Sequence, residues 1–189
     1  LTKIDKKPIE AKVEIYNNTT NKLITTLKSN NKTGEFSISL LLDKKYRIHI
    51  YKEDYLYFSE EIITPSFKNQ QVINKTILLD NLQSNTQFVL KELTTNEKYF
   101  DQNVQIKLDE LYQLMVLNPE LKIQLSLETY SDKVVNENNN QKFIDECIGF
   151  LKLKGINENR LDGVTVLNEQ DQKTAQPKSI LKVKVKQKS

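Results

Sequence analysis

The stretch that decides the fold reads NPELKIQLSLETYSD, from Asn118 to Asp132. Its apolar residues fall at every second position, which is typical of a strand with one buried face. The Asn118-Pro119 pair in front of this run ends any preceding helix, because proline disfavours helical geometry in the residue before it. The Thr-Tyr-Ser-Asp end is polar, so the sequence predicts one buried strand that leads into a loop.

Helical periodicity flanks this strand on both sides. Upstream, a stripe at helical spacing follows a candidate N-cap, Asp101, and consists of Val104, Leu108, Leu111 and Met115. Downstream, a second stripe precedes a glycine stop at Gly155 and consists of Ile144, Cys147, Ile148 and Leu151. Strand-like runs at 87–93, 161–167 and 180–185 complete the order β-α-β-α-β-β. This order predicts an α/β domain with its helices on one face of the sheet.

The residues before about position 80 follow a different period. Runs around 13–15, 36–40 and 46–50 alternate apolar and polar residues, and turn-forming polar residues separate them. Short strands at this spacing predict a small antiparallel β-sandwich. The change of period predicts two domains, an all-β sandwich over residues 1–82 and an α/β domain over residues 83–189.

Composition excludes several classes of function. The chain has 189 residues and a net charge of +3, which is too small and too dispersed for a nucleic-acid-binding face. No apolar run is long enough to cross a bilayer, so no transmembrane segment is expected. The one histidine, His49, is expected to face solvent, and the one cysteine, Cys147, to lie in the core. We therefore expect no metal site, no cofactor and no enzymatic activity. The chain starts at Leu1 without a signal peptide, so it is expected to be a piece of a longer protein.

Several motifs taken together resemble known envelope modules. NPELKIQL (118–125), LKLKGINENRL (151–161) and KSILKVKV (178–185) resemble the OmpA-like C-terminal domain, the peptidoglycan-associating module of Gram-negative envelopes, over residues 84–187. The PIEAKVEIYNN stretch from Pro8 onward, the Thr-Gly-x-Phe turn and the Tyr-x-Tyr-x-Ser segment resemble a transthyretin-like, carboxypeptidase-regulatory β-sandwich. The tandem is similar to Bacteroidetes outer-membrane proteins, some of which belong to the type IX secretion apparatus. The resemblance implies a periplasmic, outer-membrane-associated location and envelope proteins as partners.

The resemblance also implies where a ligand site should lie. In the family, an aspartate after the second strand and an arginine on the second helix clamp the diaminopimelate of peptidoglycan. Here the aspartate position is Tyr130, after Glu128 and Thr129, and the arginine position is Phe143. The family's Leu-Ser at the start of that helix becomes Asn139-Asn140. Because both charges are missing, we predict a degenerate clamp and a structural or interaction role in the envelope.

Alternatives to this hypothesis remain. Asp132 and Lys142 could supply a shifted anion and cation, which would make the chain a peptidoglycan tether with a relocated site. The aromatic residues Tyr51, Tyr55 and Tyr57 are either packed in the protein or part of a docking surface. A hydrolase or carbohydrate-binding sandwich is disfavoured, because the sequence offers no catalytic groups.

Overall fold

The structure is a computed structural model that describes residues 1–66, 72–94, 100–131, 137–169 and 178–187. Over these residues the protein is mostly β, with two sheets of four strands and two α-helices. Its internal contacts divide the chain into two compact units, Leu1–Leu82 and Gln83–Ser189. That each unit is an independently folding domain stays a prediction.

The first unit contains one antiparallel sheet. Its strands are β1 (Lys12–Asn17), β2 (Lys22–Lys28), β3 (Lys45–Tyr51) and β4 (Phe58–Ile63), in the order β2-β1-β3-β4. Alternate residues of the two central strands point into the core and are at most 4% exposed, namely Val13, Ile15, Tyr46, Ile48 and Ile50. This burial on one face explains why the sequence predicts the two central strands.

The predicted sandwich needs a correction in its second layer. Residues 36–40 do not pair as a strand, although Phe36, Ile38 and Leu40 pack against the core as their alternation indicates. Ile77, which also lies outside the strands, packs against the same core. In the described part of this unit, segments without strand pairing therefore pack against the sheet where the prediction placed a second sheet. Alternation reports which side chains are buried, and it does not report whether the backbone pairs.

The second unit has the predicted order of elements. Its elements are β5 (Gln87–Thr94), α1 (Gln102–Leu117), β6 (Lys122–Ser131), α2 (Glu137–Leu153), β7 (Leu161–Glu169) and β8 (Lys178–Gln187). The strands lie in the order β5-β8-β6-β7, with β6 and β7 parallel and the other pairs antiparallel. Helix α2 makes the crossover that a parallel pair requires. This coarse arrangement is compatible with an α/β unit.

Helix α1 starts and ends where its sequence signals predict. Asp101 Oδ1 accepts a hydrogen bond of 2.8 Å from the Val104 N–H, which makes Asp101 the N-cap. At the other end, Arg160 donates to the carbonyl oxygens of Met115 at 2.8 Å and Asn118 at 2.9 Å. These bonds satisfy carbonyl groups that the helix leaves unpaired. Desolvation at this position lowers the pKa of the Arg160 guanidinium.

Helix α2 ends at the predicted glycine. Gly155 has a φ of 101°, and its N–H donates to the Lys152 carbonyl oxygen at 2.9 Å. The Ile156 N–H donates to the Leu151 carbonyl oxygen at 3.1 Å. This pair of bonds is a Schellman motif, which favours glycine because it needs a left-handed residue.

A second glycine brings α2 close to the sheet. A Cβ atom at Gly163, on β7, would lie 2.5 Å from Ile144 Cγ2 and 2.7 Å from Ile148 Cδ1. Real Cβ atoms do not approach other atoms that closely, so α2 packs directly over the backbone of β7. The close approach requires a residue without a side chain at this position.

Candidate functional site

Strand β6 carries three of the predicted site residues and distributes them over two faces of the sheet. Leu125 and Leu127 are 0% exposed and Thr129 is 5% exposed, so these side chains form the inner face, toward α2. Successive side chains of a strand point to opposite faces. Glu128 and Tyr130, which are half-buried, therefore belong to the outer face.

The inner face ends in a buried group of neutral side chains. Thr129 Oγ1 lies 3.0 Å from Ser179 Oγ, its partner across the strand pair with β8. Asn140 Nδ2, from the beginning of α2, donates to Thr129 Oγ1 at 3.2 Å. All three residues are at most 7% exposed, whereas the neighbouring Asn139 is exposed. We call Thr129, Asn140 and Ser179 the inner cluster.

The inner cluster retains one unused acceptor. Asn140 Oδ1 is buried and has no hydrogen-bond partner among the residues that the structure describes. A buried acceptor without a donor costs free energy, and it can be satisfied by the N–H or O–H of a small neutral group. The cluster offers hydroxyl and amide groups only. It therefore lacks the paired charges needed to select an ammonium and a carboxylate on one carbon.

The outer face carries a charged group instead. Tyr130 Oη donates to Glu128 Oε2 at 2.9 Å, and Lys182 Nζ lies 2.5 Å from the same oxygen. The hydrogen bond from Lys182 lowers the pKa of Glu128 and outweighs the effect of partial burial. The hydrogen bond to Glu128 raises the pKa of Tyr130. We call Glu128, Tyr130 and Lys182 the outer cluster; its one carboxylate already has a cation.

The two clamp positions lie on opposite sides of the sheet. Phe143 is 1% exposed and belongs to the buried stripe of α2, on the inner side. Tyr130 points to the outer side, where it contacts Glu128. The structure thus brings Thr129 and Asn140 together and separates Tyr130 from Phe143.

Of the two proposed substitutes for the clamp, the structure describes one. Lys142 is exposed on α2, next to the buried Phe143. Asp132 lies outside the described residues. The relocated site therefore stays a hypothesis.

Of the three aromatic residues singled out in the first unit, Tyr51 is packed inside the protein, which is one of the two predicted alternatives. Tyr51 is 3% exposed and its hydroxyl lies 3.0 Å from His49 Nδ1. His49 is itself 4% exposed, so the expectation that it faces solvent is wrong. The ring centroid of Tyr16 lies 5.0 Å from that of His49, and Arg47 Nε donates to His49 Nε2 at 3.0 Å. Large neighbours thus bury the imidazole although it belongs to the polar face of the sheet.

The hydrogen bonds of His49 assign its tautomer. An arginine nitrogen can only donate, so His49 Nε2 must accept from Arg47. The proton of the neutral ring then lies on Nδ1 and is donated to the Tyr51 hydroxyl. Both ring nitrogens are used in structural hydrogen bonds, which leaves neither of them for metal binding or acid–base chemistry.

Tyr55 and Tyr57 do not share a face. Tyr55 packs against the apolar core of the first unit. The ring centroid of Tyr57 lies 6.1 Å from that of Tyr51, on the polar side of the sheet. Both residues are half-buried, and their role in docking stays a prediction.

Three functional contacts escaped the sequence analysis. Ser179 joins Thr129 across 50 residues of sequence, Lys182 joins Glu128, and Arg160 ties the end of α1 to the loop that follows it. A signal existed for Ser179, because the alternation of β8 places it on the same face as Leu181. No local pattern indicates the partners of Arg160, since a partly buried guanidinium can donate to any carbonyl oxygen that the fold places near it.

The described residues contain neither a membrane-spanning helix nor a metal-binding group of side chains. In the part of the chain that the structure describes, neither helix combines the length and the apolar character needed to cross a bilayer. The same residues contain no group of three or more His, Cys, Asp or Glu side chains placed to hold a metal ion.

No protein-family model matches the chain, and no curated protein matches it at a significant level.

Proposed function

We propose that this chain is a non-catalytic structural or interaction protein of the cell envelope. It is the periplasmic part of an outer-membrane-associated protein, and its second unit is an OmpA-like domain without the diaminopimelate clamp. Its partners are other envelope proteins of an outer-membrane assembly. One observation carries the loss of the clamp: Tyr130 and Phe143 are uncharged and lie on opposite sides of one sheet.

The energetic argument follows from the chemistry of the ligand. Diaminopimelate presents an ammonium and a carboxylate on one carbon, so it needs an anion and a bidentate cation side by side. Removing one partner of a desolvated charge pair costs roughly 2–5 kcal/mol. Here the inner cluster is neutral, and the carboxylate of the outer cluster is occupied by Lys182. Specific binding at these positions is therefore not expected.

The environments of the one cysteine and the one histidine support a non-catalytic role. Burial raises the pKa of the Cys147 thiol to about 12, so little thiolate is available as a nucleophile. Both ring nitrogens of His49 are held by Arg47 and Tyr51. Because each is the only residue of its type, the sequence offers no other cysteine nucleophile or histidine base.

Co-sedimentation with purified diaminopimelate-type peptidoglycan tests this proposal. The wild-type chain is expected to stay in the supernatant, as it should with lysine-type peptidoglycan, the matched control. A Tyr130→Asp variant is also expected to stay there, because its new carboxylate would lie on the outer face.

Diaminopimelate-dependent pelleting of the wild type would overturn the proposal. It would favour the alternative, a non-covalent peptidoglycan tether with a relocated site. Asp132→Asn and Lys142→Ala would then be the first variants, and loss of pelleting in both would assign the site to those residues. The unused acceptor of Asn140 is the feature that makes this alternative worth testing.

A further inference from the structure

Among the described residues the two sheets have four edge strands, and three of these carry features that oppose pairing with another chain. Strand β2 has a lysine at each end, Lys22 and Lys28. Strand β4 places Glu60 opposite Ile48, so that a carboxylate points toward the core side of the edge. Strand β5 is interrupted by an irregularity between Val89 and Lys91. Terminal lysines, inward-facing charges and bulges are the usual ways in which proteins protect a sheet edge.

Strand β7 is the exception among these edges. It is nine residues long, and its register with β6 runs without a break from Leu161 to Glu169. Its charged residues are Asp162 and Glu169, near the two ends, and every residue between them is uncharged. Val166 is 39% exposed and Leu167 is 46% exposed. A long, regular and apolar edge of this kind is suited to pairing with another strand.

The backbone of β7 shows which groups face outward. The Gly163 N–H donates to Asp162 Oδ1 at 2.9 Å and so points away from β6. Because backbone groups alternate along a strand, those of Thr165 and Leu167 point the same way. An incoming antiparallel strand would therefore form hydrogen-bonded pairs at positions 163, 165 and 167, and at Gly163 it would replace the bond to Asp162.

The sequence of β7 is complementary to itself in that register. An antiparallel pair centred on Thr165 places Gly163 opposite Leu167, Val164 opposite Val166 and Asp162 opposite Asn168. No like charges meet, and pairs of β-branched residues are favourable across strands. An antiparallel pair of two β2 strands, centred in the same way, would place Lys22 opposite Lys28, which is unfavourable because like charges would meet.

We propose that the β7 edge binds the β7 edge of a second copy of this chain, antiparallel and with the two-fold axis at Thr165. The β5-β8-β6-β7 sheet of one copy then joins the same sheet of the other copy, which gives one sheet of eight strands. A contact built on one strand pair lies at the low end of interface sizes, so the dimer should be weak and concentration-dependent. This proposal goes beyond the proposed function and does not depend on it.

Cysteine cross-linking tests the register. In a hydrogen-bonded antiparallel pair the Cα atoms are about 5.5 Å apart, which is within disulfide reach. The Thr165→Cys variant is therefore expected to form a disulfide dimer under mild oxidation. The Val166→Cys variant is the matched control, because its two cysteines would be more than about 7 Å apart in the dimer and should form no disulfide. The wild type should also form no disulfide, since Cys147 is buried.

Sedimentation velocity over a wide range of concentration tests the interface itself. Val166→Lys is expected to raise the dissociation constant of the dimer at least tenfold, whereas Val89→Lys, the same change at the other edge of the same sheet, should leave it unchanged. Both valines are exposed, so neither change should unfold the protein. A wild type that is monomeric at every concentration would overturn the proposal. So would a dimer that is weakened by Val89→Lys alone, or equal cross-linking of the Thr165→Cys and Val166→Cys variants.

Discussion

The two faces at the end of β6 differ in what they bury. On the inner face, Thr129 makes neutral hydrogen bonds with Ser179 and Asn140 and is almost excluded from water. On the outer face, Glu128 forms a charged pair with Lys182 that remains partly in water. Buried polar groups are costly when unpaired, whereas exposed ion pairs contribute little. The inner face is therefore expected to contribute more to the stability of this region than the ion pair on the outer face.

The largest expected effect comes from placing a charge on the inner face. Phe143→Arg, the change that would restore the arginine of the family's clamp, puts a guanidinium where Phe143 is 1% exposed. We expect a loss of at least about 3 kcal/mol in the free energy of unfolding, because the ring's packing is lost and the new charge is buried. Urea denaturation measures it. Lys142→Arg, on the exposed neighbour, should change the stability by less than about 0.5 kcal/mol; equal effects would show that Phe143 is not in the core.

A pair of glycines tests how closely α2 approaches the sheet. Gly163→Ala would place a methyl group 2.5 Å from Ile144 Cγ2, so we expect a loss of about 1–3 kcal/mol in the free energy of unfolding. Gly149→Ala is the matched control, because a Cβ there meets nothing within 4 Å and alanine favours the helix. It should stabilise the protein by up to about 1 kcal/mol. A neutral Gly163→Ala would mean that α2 does not lie directly on β7.

The hydrogen bonds of the inner cluster are tested by a change of similar shape. Thr129→Val removes the hydroxyl that bonds to both Ser179 and Asn140. We expect a loss of about 1–2 kcal/mol in the free energy of unfolding, measured by thermal or urea denaturation. Ser126→Val, on the outer face of the same strand, is the control and should cost little. If both changes had the same effect, the inner cluster would have no special role in stability.

The smallest effect is expected on the outer face. Glu128→Gln removes the ion pair with Lys182, and we expect a loss of at most about 1 kcal/mol that shrinks further as salt is added. Comparing unfolding at low and high ionic strength measures it. A loss larger than that of Thr129→Val would reverse the ranking of the two faces.

The same pair has a defined dependence on pH. The pKa of Glu128 is lowered from 4.5, so its contribution is present above that value and is lost as the pH falls through the lowered pKa. The pKa of Lys182 is raised from 10.5, so its contribution is present below that value and is lost as the pH rises through the raised pKa. The difference in stability between the wild type and Glu128→Gln should thus be constant between these two values and decline outside them.

Sequence patterns predicted the elements with a strongly buried face. The strand β6, the stripe of α2, the N-cap Asp101 and the stop at Gly155 each follow from a local rule of spacing or capping. Strand β2 escaped prediction because it is a sheet edge with mostly exposed side chains and little alternation. The 36–40 segment was wrongly predicted to pair, because its alternation arises from packing alone.

The candidate site was harder to predict than the fold. The sequence identified Tyr130 and Phe143 as the positions of a missing clamp, but it did not show that they lie on opposite sides of a sheet. The alternation of Leu125, Leu127 and Thr129 contained that information, since it places Tyr130 on the other face. The β8 partners of these two residues, Ser179 for Thr129 and Lys182 for Glu128, lie more than 40 residues away, and local spacing does not show which residues meet.

Thiol accessibility of two cysteine variants tests the separation of the clamp positions most directly. Cys147 is 0% exposed, and its raised pKa makes the wild type slow to react, so a single introduced cysteine can be followed alone. The Tyr130→Cys variant should react with a water-soluble maleimide at nearly the rate of an exposed thiol. The Phe143→Cys variant should react only as fast as the protein opens, and urea should abolish the difference. Equal and rapid labelling of both variants in the folded protein would contradict the account, because both positions would then be exposed to a common ligand.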